Sequence, residues 1–319
     1  MVSVSDWHCR ATAVMVVGLA GSVVCSAQAG AGKPTLQGAV SRAMARHRGA
    51  AVVVDVQSGR LLAVYHPEIA SRRRVHPGSS LKPFALLTLL QADKVDAHTA
   101  LLCKRPLTIG GHKLDCPHPA TNQPFEPPAA LAYSCNFYFT NVSTRLTAVE
   151  LHDSLVQMGF TAATGWLPHE VSGRVGLAHT QDELQLQAIG EWGIDVTPLE
   201  LLRAYRELAL LAQQGQAKLA PLFEGLEQSV SYGMGHLAEP STPLQVAGKT
   251  GTALAEEGPW THGWFAGYAP AARPEIALVV YLENGRGPTD AALVAREIFN
   301  GFAKATTVLT HPVAESRRP

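Results

Sequence analysis

The chain has no surplus of either charge. Lys+Arg and Asp+Glu both number 26, which removes the basic field that would attract nucleic acid and leaves no acidic tail. No internal repeat and no low-complexity tract is present. Charged residues make up only 16% against 46% hydrophobic, so the 319 residues can fold around a substantial core as one large domain or two modest ones. Long apolar runs are scarce. The one that stands out, "ATAVMVVGLAGSVV" after Arg10, is short for a membrane span. It leads into "CSAQAGAG", where Ala27 and Ala29 form the small-x-small pattern of a signal-peptidase site. Residues 1–29 therefore read as a secretory signal cleaved after Ala29. The alternatives are an uncleaved membrane anchor or a lipoprotein signal at Cys25, the latter disfavoured by the bulky Val24. In each case the remainder is exported.

Cysteine is also sparse, at five residues. Cys9 and Cys25 fall in the signal, leaving Cys103, Cys116 and Cys135. Cys103 and Cys116 bracket "KRPLTIGGHKLD", which reads as a hairpin about Gly110 and Gly111. In an oxidising compartment a Cys103–Cys116 disulfide is the expectation. A zinc site of Cys103, His112, Cys116 and His118 is disfavoured because the spacing fits no common finger, so no metal and no other cofactor is expected. Cys135 is then a free, buried thiol.

Leu36, Val40 and Met44 recur at helical spacing, predicting a helix over 35–48. "AAVVVDV", the turn "QSGR" and "LLAVYH" predict a β-hairpin. Helical patterns dominate from Ser79 to about Gly215. Strand patterns return in "LQVAGKTGTAL", "HGWFAGYAP" and "EIALVVYLEN", and a last helix over 288–305 is capped by Thr289 or Asp290. Residues 306–319 read as a flexible tail, and 30–305 as the folded domain. Strands at both ends with helices between them predict an α+β fold: an antiparallel sheet from both chain ends and an all-helical lobe.

The chemistry begins at "VHPGSSLKPF", residues 75–84. Ser79 and Lys82 stand three apart, so a helix puts them on one face. A serine hydroxyl needs a base to become a nucleophile, and a lysine can be that base once its pKa is lowered. Alone, the spacing equally describes a helix cap. Ser134-Cys135-Asn136 and Lys249-Thr250-Gly251-Thr252 add to it, each occurring once and in this order; the ordered set is far more specific than any member.

This set resembles the active-site-serine penicillin-recognising enzymes, the penicillin-binding protein transpeptidase domains with serine β-lactamases as relatives. "AVVVDVQSGRLLAVYHP", "PPAALAYSCNFYF", "IDVTPLELLRAYRELA" and "HGWFAGYAPAARPEIALVVYLE" resemble further stretches of such domains, so the likeness covers nearly the whole mature chain. It implies a five-stranded antiparallel sheet flanked by helices, with the active site between sheet and helical lobe. It implies Ser79 as nucleophile, Lys82 as its base, Ser134 as proton relay and Asn136 as holder of the substrate amide. Lys249 would supply positive potential for the substrate carboxylate, with the Thr250 and Thr252 hydroxyls bonding it. The N–H groups of Ser79 and Thr252 would form the oxyanion hole. Gly251 would be glycine to keep a side chain off substrate lying along the strand edge.

The implied reaction is acyl transfer from D-Ala-D-Ala peptidoglycan stem peptides, to a neighbouring stem or to water, with β-lactams as covalent inhibitors. The implied place is the periplasm or the outer face of a bacterial cytoplasmic membrane. Inner-membrane contact follows only from an uncleaved signal. The stretch between Ala29 and Ser79 leaves no room for a glycosyltransferase or pedestal module, which suggests a cell-envelope protein partner. Two alternatives stand beside this reading: a divergent β-lactamase and a non-catalytic penicillin- or muropeptide-binding sensor. No glutamate between Ser134 and Lys249 stands in the Glu-x-x-Leu-Asn context of one large β-lactamase class, which implies slow hydrolysis of a penicilloyl-enzyme. His76, the Arg72–Arg74 run, Trp192, Trp260, Trp264 and Phe265 are given surface or packing roles.

Overall fold

The computed structural model describes residues 35–255 and 258–310; the signal segment and residues 311–319 lie outside them. Thr35 caps α1 (Leu36–Met44) by accepting from Gly38 N at 3.1 Å. Strands β1 (Gly49–Asp55) and β2 (Leu61–Tyr65) form the expected hairpin, and Asp55 Oδ1 closes its turn by accepting from Ser58 N at 2.7 Å. There follow α2 (Pro67–Arg72), a short 3₁₀ turn at Gly78–Leu81, and α3 (Lys82–Gln91). The hairpin of β3 (Leu107–Ile109) and β4 (His112–Leu114) turns at Gly110 and Gly111 as expected. The helical region continues through α4 (Pro127–Ala132), α5 (Asn136–Val142) and α6 (Ala148–Gln157). A two-residue ribbon of β5 (Arg174–Val175) and β6 (Ile194–Asp195) brackets α7 (Gln181–Ala188). After it come α8 (Pro198–Gln213) and α9 (Ala220–Ser231). Strands β7 (Ala247–Leu254), β8 (Thr261–Ala269) and β9 (Ile276–Leu282) precede α10 (Ala292–Thr310).

The main sheet is antiparallel in the order β2-β1-β9-β8-β7, so both chain ends build it. Its central strands are apolar at almost every position because both faces are covered. Side chains alternate across a strand: Ala51, Val53, Phe265, Leu278 and Val280 pack with Val40, Met44, Ile298 and Phe299 of α1 and α10. Val52, Val54, Trp264, Tyr268, Val279 and Tyr281 point the other way, into the large core shared with the helices, including Phe84, Leu201 and Tyr205. Burying a side chain the size of Leu or Phe is worth about 1.5–3 kcal/mol, so this two-sided core fixes the sheet, and β7 is left as an edge strand against α9 and the 3₁₀ turn. The last helix differs from expectation. It begins at Ala292 after a wide turn at Gly287–Ala291 and runs to Thr310, into the stretch expected to be tail.

Candidate active site

The 3₁₀ turn that leads into α3 meets edge strand β7. Gly78 takes φ +52°, and a Cβ built on it would lie 2.4 Å from Thr252 O and 3.1 Å from Thr252 N. Glycine there lets the backbone before Ser79 lie against that of Thr252, which puts the two expected oxyanion N–H groups in neighbouring segments. Gly251 does the same from the strand side: a Cβ on it would fall 2.4 Å from Pro77 O and 3.0 Å from Ser80 N. Glycine at 251 therefore also spares the nucleophile turn, a contact beyond the strand-edge role expected for it.

The two serines separate clearly. Ser80 is fully buried and its hydroxyl donates to Pro77 O at 2.7 Å, while its carbonyl accepts from the Tyr205 hydroxyl at 2.9 Å. Ser79 is half-buried and opens into a cavity of about 260 Å³. The cavity is also lined by Ser134, Asn136, Thr250, Gly251 and Thr252.

Lys82 lies behind that cavity, fully buried at the start of α3. Its Nζ donates to Ser134 O at 2.8 Å, Ser134 Oγ at 3.0 Å and Asn136 Oδ1 at 2.6 Å. Burial pushes its pKa from 10.5 down to about 8, against the opposing pull of Cys135, Cys116 and Glu191. Ser134 reaches it only because α4 ends in a left-handed residue, Ser134 at φ 55°; for a non-glycine this is an uncommon conformation held by its surroundings. Asn136 is more occupied than expected. Its Oδ1 faces Lys82, and its Nδ2 donates to Asp115 O at 2.7 Å, tying the β3–β4 hairpin to the site.

Lys249 lies deeper than the cavity lining. It is fully buried, its Nζ donates to Thr250 O at 3.1 Å, and burial reinforced by the Lys82 charge holds its pKa well below the ordinary value. The Thr252 hydroxyl accepts from Gly287 N at 3.0 Å.

The cysteines do not form the expected bond. Cys103 and Cys116 are free, with sulfurs 3.6 Å apart against about 2.05 Å in a disulfide. Cys135, a buried free thiol as expected, stands 3.8 Å from Cys116 on its other side. The ligand atoms of Cys103, Cys116, His118 and Cys135 all lie within 4.8 Å of one another. His112, in the disfavoured zinc set, is instead exposed on β4. His118 Nδ1 bonds Pro119 O at 2.7 Å, and its Nε2 is buried without a hydrogen-bond partner. These four side chains could hold a metal ion, a possibility that the order of residues in the sequence conceals because Cys135 arrives from a different segment.

His76, given no chemistry, makes a specific pair: its Nδ1 faces Ile194 O at 2.6 Å and Asp195 Oδ1 at 3.0 Å. The Asp195 bond pushes its pKa up to about 9. Trp264 is buried and donates to His76 O at 3.1 Å, while Trp260 is exposed.

The family model described as penicillin binding protein transpeptidase domain matches residues 49–304. The chain belongs to that family. Among curated relatives, this transpeptidase domain is 25% identical to peptidoglycan D,D-transpeptidase MrdA of Acinetobacter baumannii, over 83% of this chain and 52% of the relative. It is 26% identical to peptidoglycan D,D-transpeptidase FtsI of Escherichia coli, over 74% of this chain and 47% of the relative. The chain thus spans about half the length of these relatives. Among solved structures, PBP2 of Pseudomonas aeruginosa superposes with a TM-score of 0.73 at 22% identity, covering 84% of this chain and 76% of that one. The transpeptidase domain of Burkholderia pseudomallei penicillin-binding protein 3 gives 0.73 at 21%, covering 89% and 94%. Both superpositions show that the α+β fold of this chain is shared with these domains.

Proposed function

We propose that this protein is a serine D,D-transpeptidase that also releases its acyl group to water as a D,D-carboxypeptidase, acting on D-Ala-D-Ala stem peptides and acylated by β-lactams. The observation that carries the reading is the Lys82 ammonium. It is buried three residues from Ser79, held on Ser134 and Asn136, and has a pKa low enough to lose a proton near neutrality. Ser79 attacks the penultimate D-Ala carbonyl and Lys82 takes its proton. The oxyanion faces the N–H groups of Ser79 and Thr252. Ser134 passes a proton to the departing D-Ala, leaving an ester on Ser79. The stem peptide extends along β7, the free edge of the sheet, with Thr250 and Thr252 toward its carboxylate. Lys249 meets that carboxylate as a cation once the incoming negative charge offsets its burial cost.

The expected export signal, the absence of a resident cofactor in catalysis and a cell-envelope partner belong to this reading. No helix among the described residues is long and apolar enough to cross a membrane. The test is labelling of the full chain with a fluorescent penicillin. Wild type should carry one covalent label and Ser79→Ala none; equal labelling of both would sink the assignment.

A further inference from the structure

Two carboxylates line the cavity and take no part in the acylation just described: Asp115, which is exposed and accepts from Cys116 N at 2.8 Å, and Glu191. Glu191 lines the same 260 Å³ space as Ser79, Ser134, Thr250 and Thr252. It is held there by the backbone of the nucleophile turn itself. Gly78 N donates to Gly190 O at 3.2 Å, and a Cβ on Gly190, at φ +79°, would lie 2.1 Å from Gly78 O. Only glycine allows the two segments to approach so closely, and Glu191 is the next residue. A tight turn fixes its own backbone, with Gly190 N donating to Gln187 O at 3.0 Å and Glu191 N to Leu186 O at 2.9 Å. The side chain is half-buried, and among the described residues its carboxylate accepts no hydrogen bond. The charged groups facing it are Lys82, His76 and His112; burial raises its pKa and these three oppose the rise.

A carboxylate in a reactive cavity without a protein donor offers its oxygens to water or substrate. We propose that Glu191 is the general base for hydrolysis of the acyl-enzyme, which makes water a built-in acyl acceptor of this site. The inference rests on the acyl-enzyme reading above and extends it to the second half-reaction. A water held on Glu191 gives a proton to the carboxylate while its oxygen attacks the ester carbonyl carbon. The resulting oxyanion rests on the N–H groups of Ser79 and Thr252. Collapse breaks the bond to Ser79 Oγ, the proton returns to that oxygen through Lys82 or Glu191, and a free carboxylic acid departs. No atoms or electrons are left over, and nothing beyond water is consumed. The sequence context pointed to slow hydrolysis because no Glu-x-x-Leu-Asn stretch is present. In the folded chain, Gly190-Glu191-Trp192-Gly193 brings a carboxylate to the pocket from a different local motif.

The experiment follows the life of the label on Ser79. Full-length wild type and Glu191→Gln, checked for equal melting temperature, are acylated with fluorescent penicillin, and formation and loss of the ester are timed separately. Loss should slow by about 10²-fold in Glu191→Gln, far out of proportion to any change in formation. Hydroxylamine, a strong nucleophile that needs no base, should then strip both esters at similar rates. Release from Glu191→Gln at the wild-type rate, or formation and release slowed equally, overturns the role while leaving the acyl-enzyme reading intact. Failure of wild type to form an ester on Ser79 overturns both.

Discussion

Asn136 Oδ1 accepts a 2.6 Å hydrogen bond from Lys82 Nζ, so the second motif of the site is fastened directly to the base of the first. A lysine buried this completely would lose far more of its charge without the oxygens of Ser134 and Asn136 around it. Burial sets where in the pH range Lys82 gives up its proton, and the Ser134 and Asn136 oxygens stabilise the charged form against it.

The first prediction follows from that value. Burial lowers the Lys82 pKa to about 8, and the base must be neutral to take the Ser79 proton. Acylation should therefore rise with pH and level off above about 8. Below it, the rate should fall roughly tenfold per pH unit, since one protonation removes the base. Asn136→Ala takes an acceptor from the cation, which should move the profile to lower pH as well as weaken the hairpin contact. Stopped-flow acylation by a chromogenic β-lactam between pH 5.5 and 10 reads both effects; a flat profile would remove Lys82 as base.

Glycine at the contact between turn and strand gives the second prediction. Gly78→Ala forces a side chain into left-handed backbone and against Thr252 O, and should cost about 3 kcal/mol of stability along with nearly all acylation. Gly111 also has positive φ, at +80°, but nothing lies within 4 Å of its Cβ position. Gly111→Ala should lose only the conformational cost of about 1–2 kcal/mol and keep its acylation rate. Urea unfolding and penicillin labelling of the two variants make the comparison.

Much of this site is legible in the sequence alone. Ser79 with Lys82, and Ser134 with Asn136, are local spacings fixed by one turn of helix or one helix start, and the Lys249–Thr252 strand has a pattern of its own. The five-stranded sheet could be read because its apolar runs lie at the two chain ends and turn residues separate them. What escaped was tertiary. Glu191 is placed by contact between Gly190 and Gly78, residues far apart in sequence, and Gly251 lies against Pro77, a second reason for glycine there. The burial of Lys249, and the attraction of Cys135 into the Cys103–Cys116 hairpin, likewise depend on segments that meet only in the fold. The wide turn at Gly287 before α10 carries no simple periodic signal.

His76 supplies a third prediction, on stability. Its folded pKa is raised to about 9 by Asp195, with Glu191 adding a smaller attraction. A raised value means the folded state holds the proton more tightly than the unfolded chain does. The contribution is then fully present below the unfolded pKa near 6.5 and is lost as pH rises through 9. The pair is about one-third exposed, so solvent screening keeps the effect modest. The melting temperature of wild type should decline between pH 6.5 and 9.5 by more than that of His76→Gln. Parallel curves would show that the ion pair adds nothing.

The thiol cluster allows the last prediction. Thiolates about 2.3 Å from a tetrahedral zinc ion stand about 3.8 Å from one another, and the observed sulfur separations are 3.6 Å and 3.8 Å about Cys116. His118 completes a fourth corner: a proton on Nδ1 donated to Pro119 O leaves the Nε2 lone pair buried and unused, the tautomer that a metal ligand requires. Reduced protein should therefore take up one zinc ion per chain, measured by competition with a chromophoric chelator. Cys135→Ser and His118→Ala should each weaken that uptake by at least about tenfold, whereas His112→Ala, altering an exposed residue outside the cluster, should leave it unchanged. Because Cys135 lies between Ser134 and Asn136, chelation should also lower the melting temperature and loosen the hold on Lys82, slowing acylation. Zinc uptake unaffected by Cys135→Ser would place any metal elsewhere and return Cys103 and Cys116 to a simple redox pair.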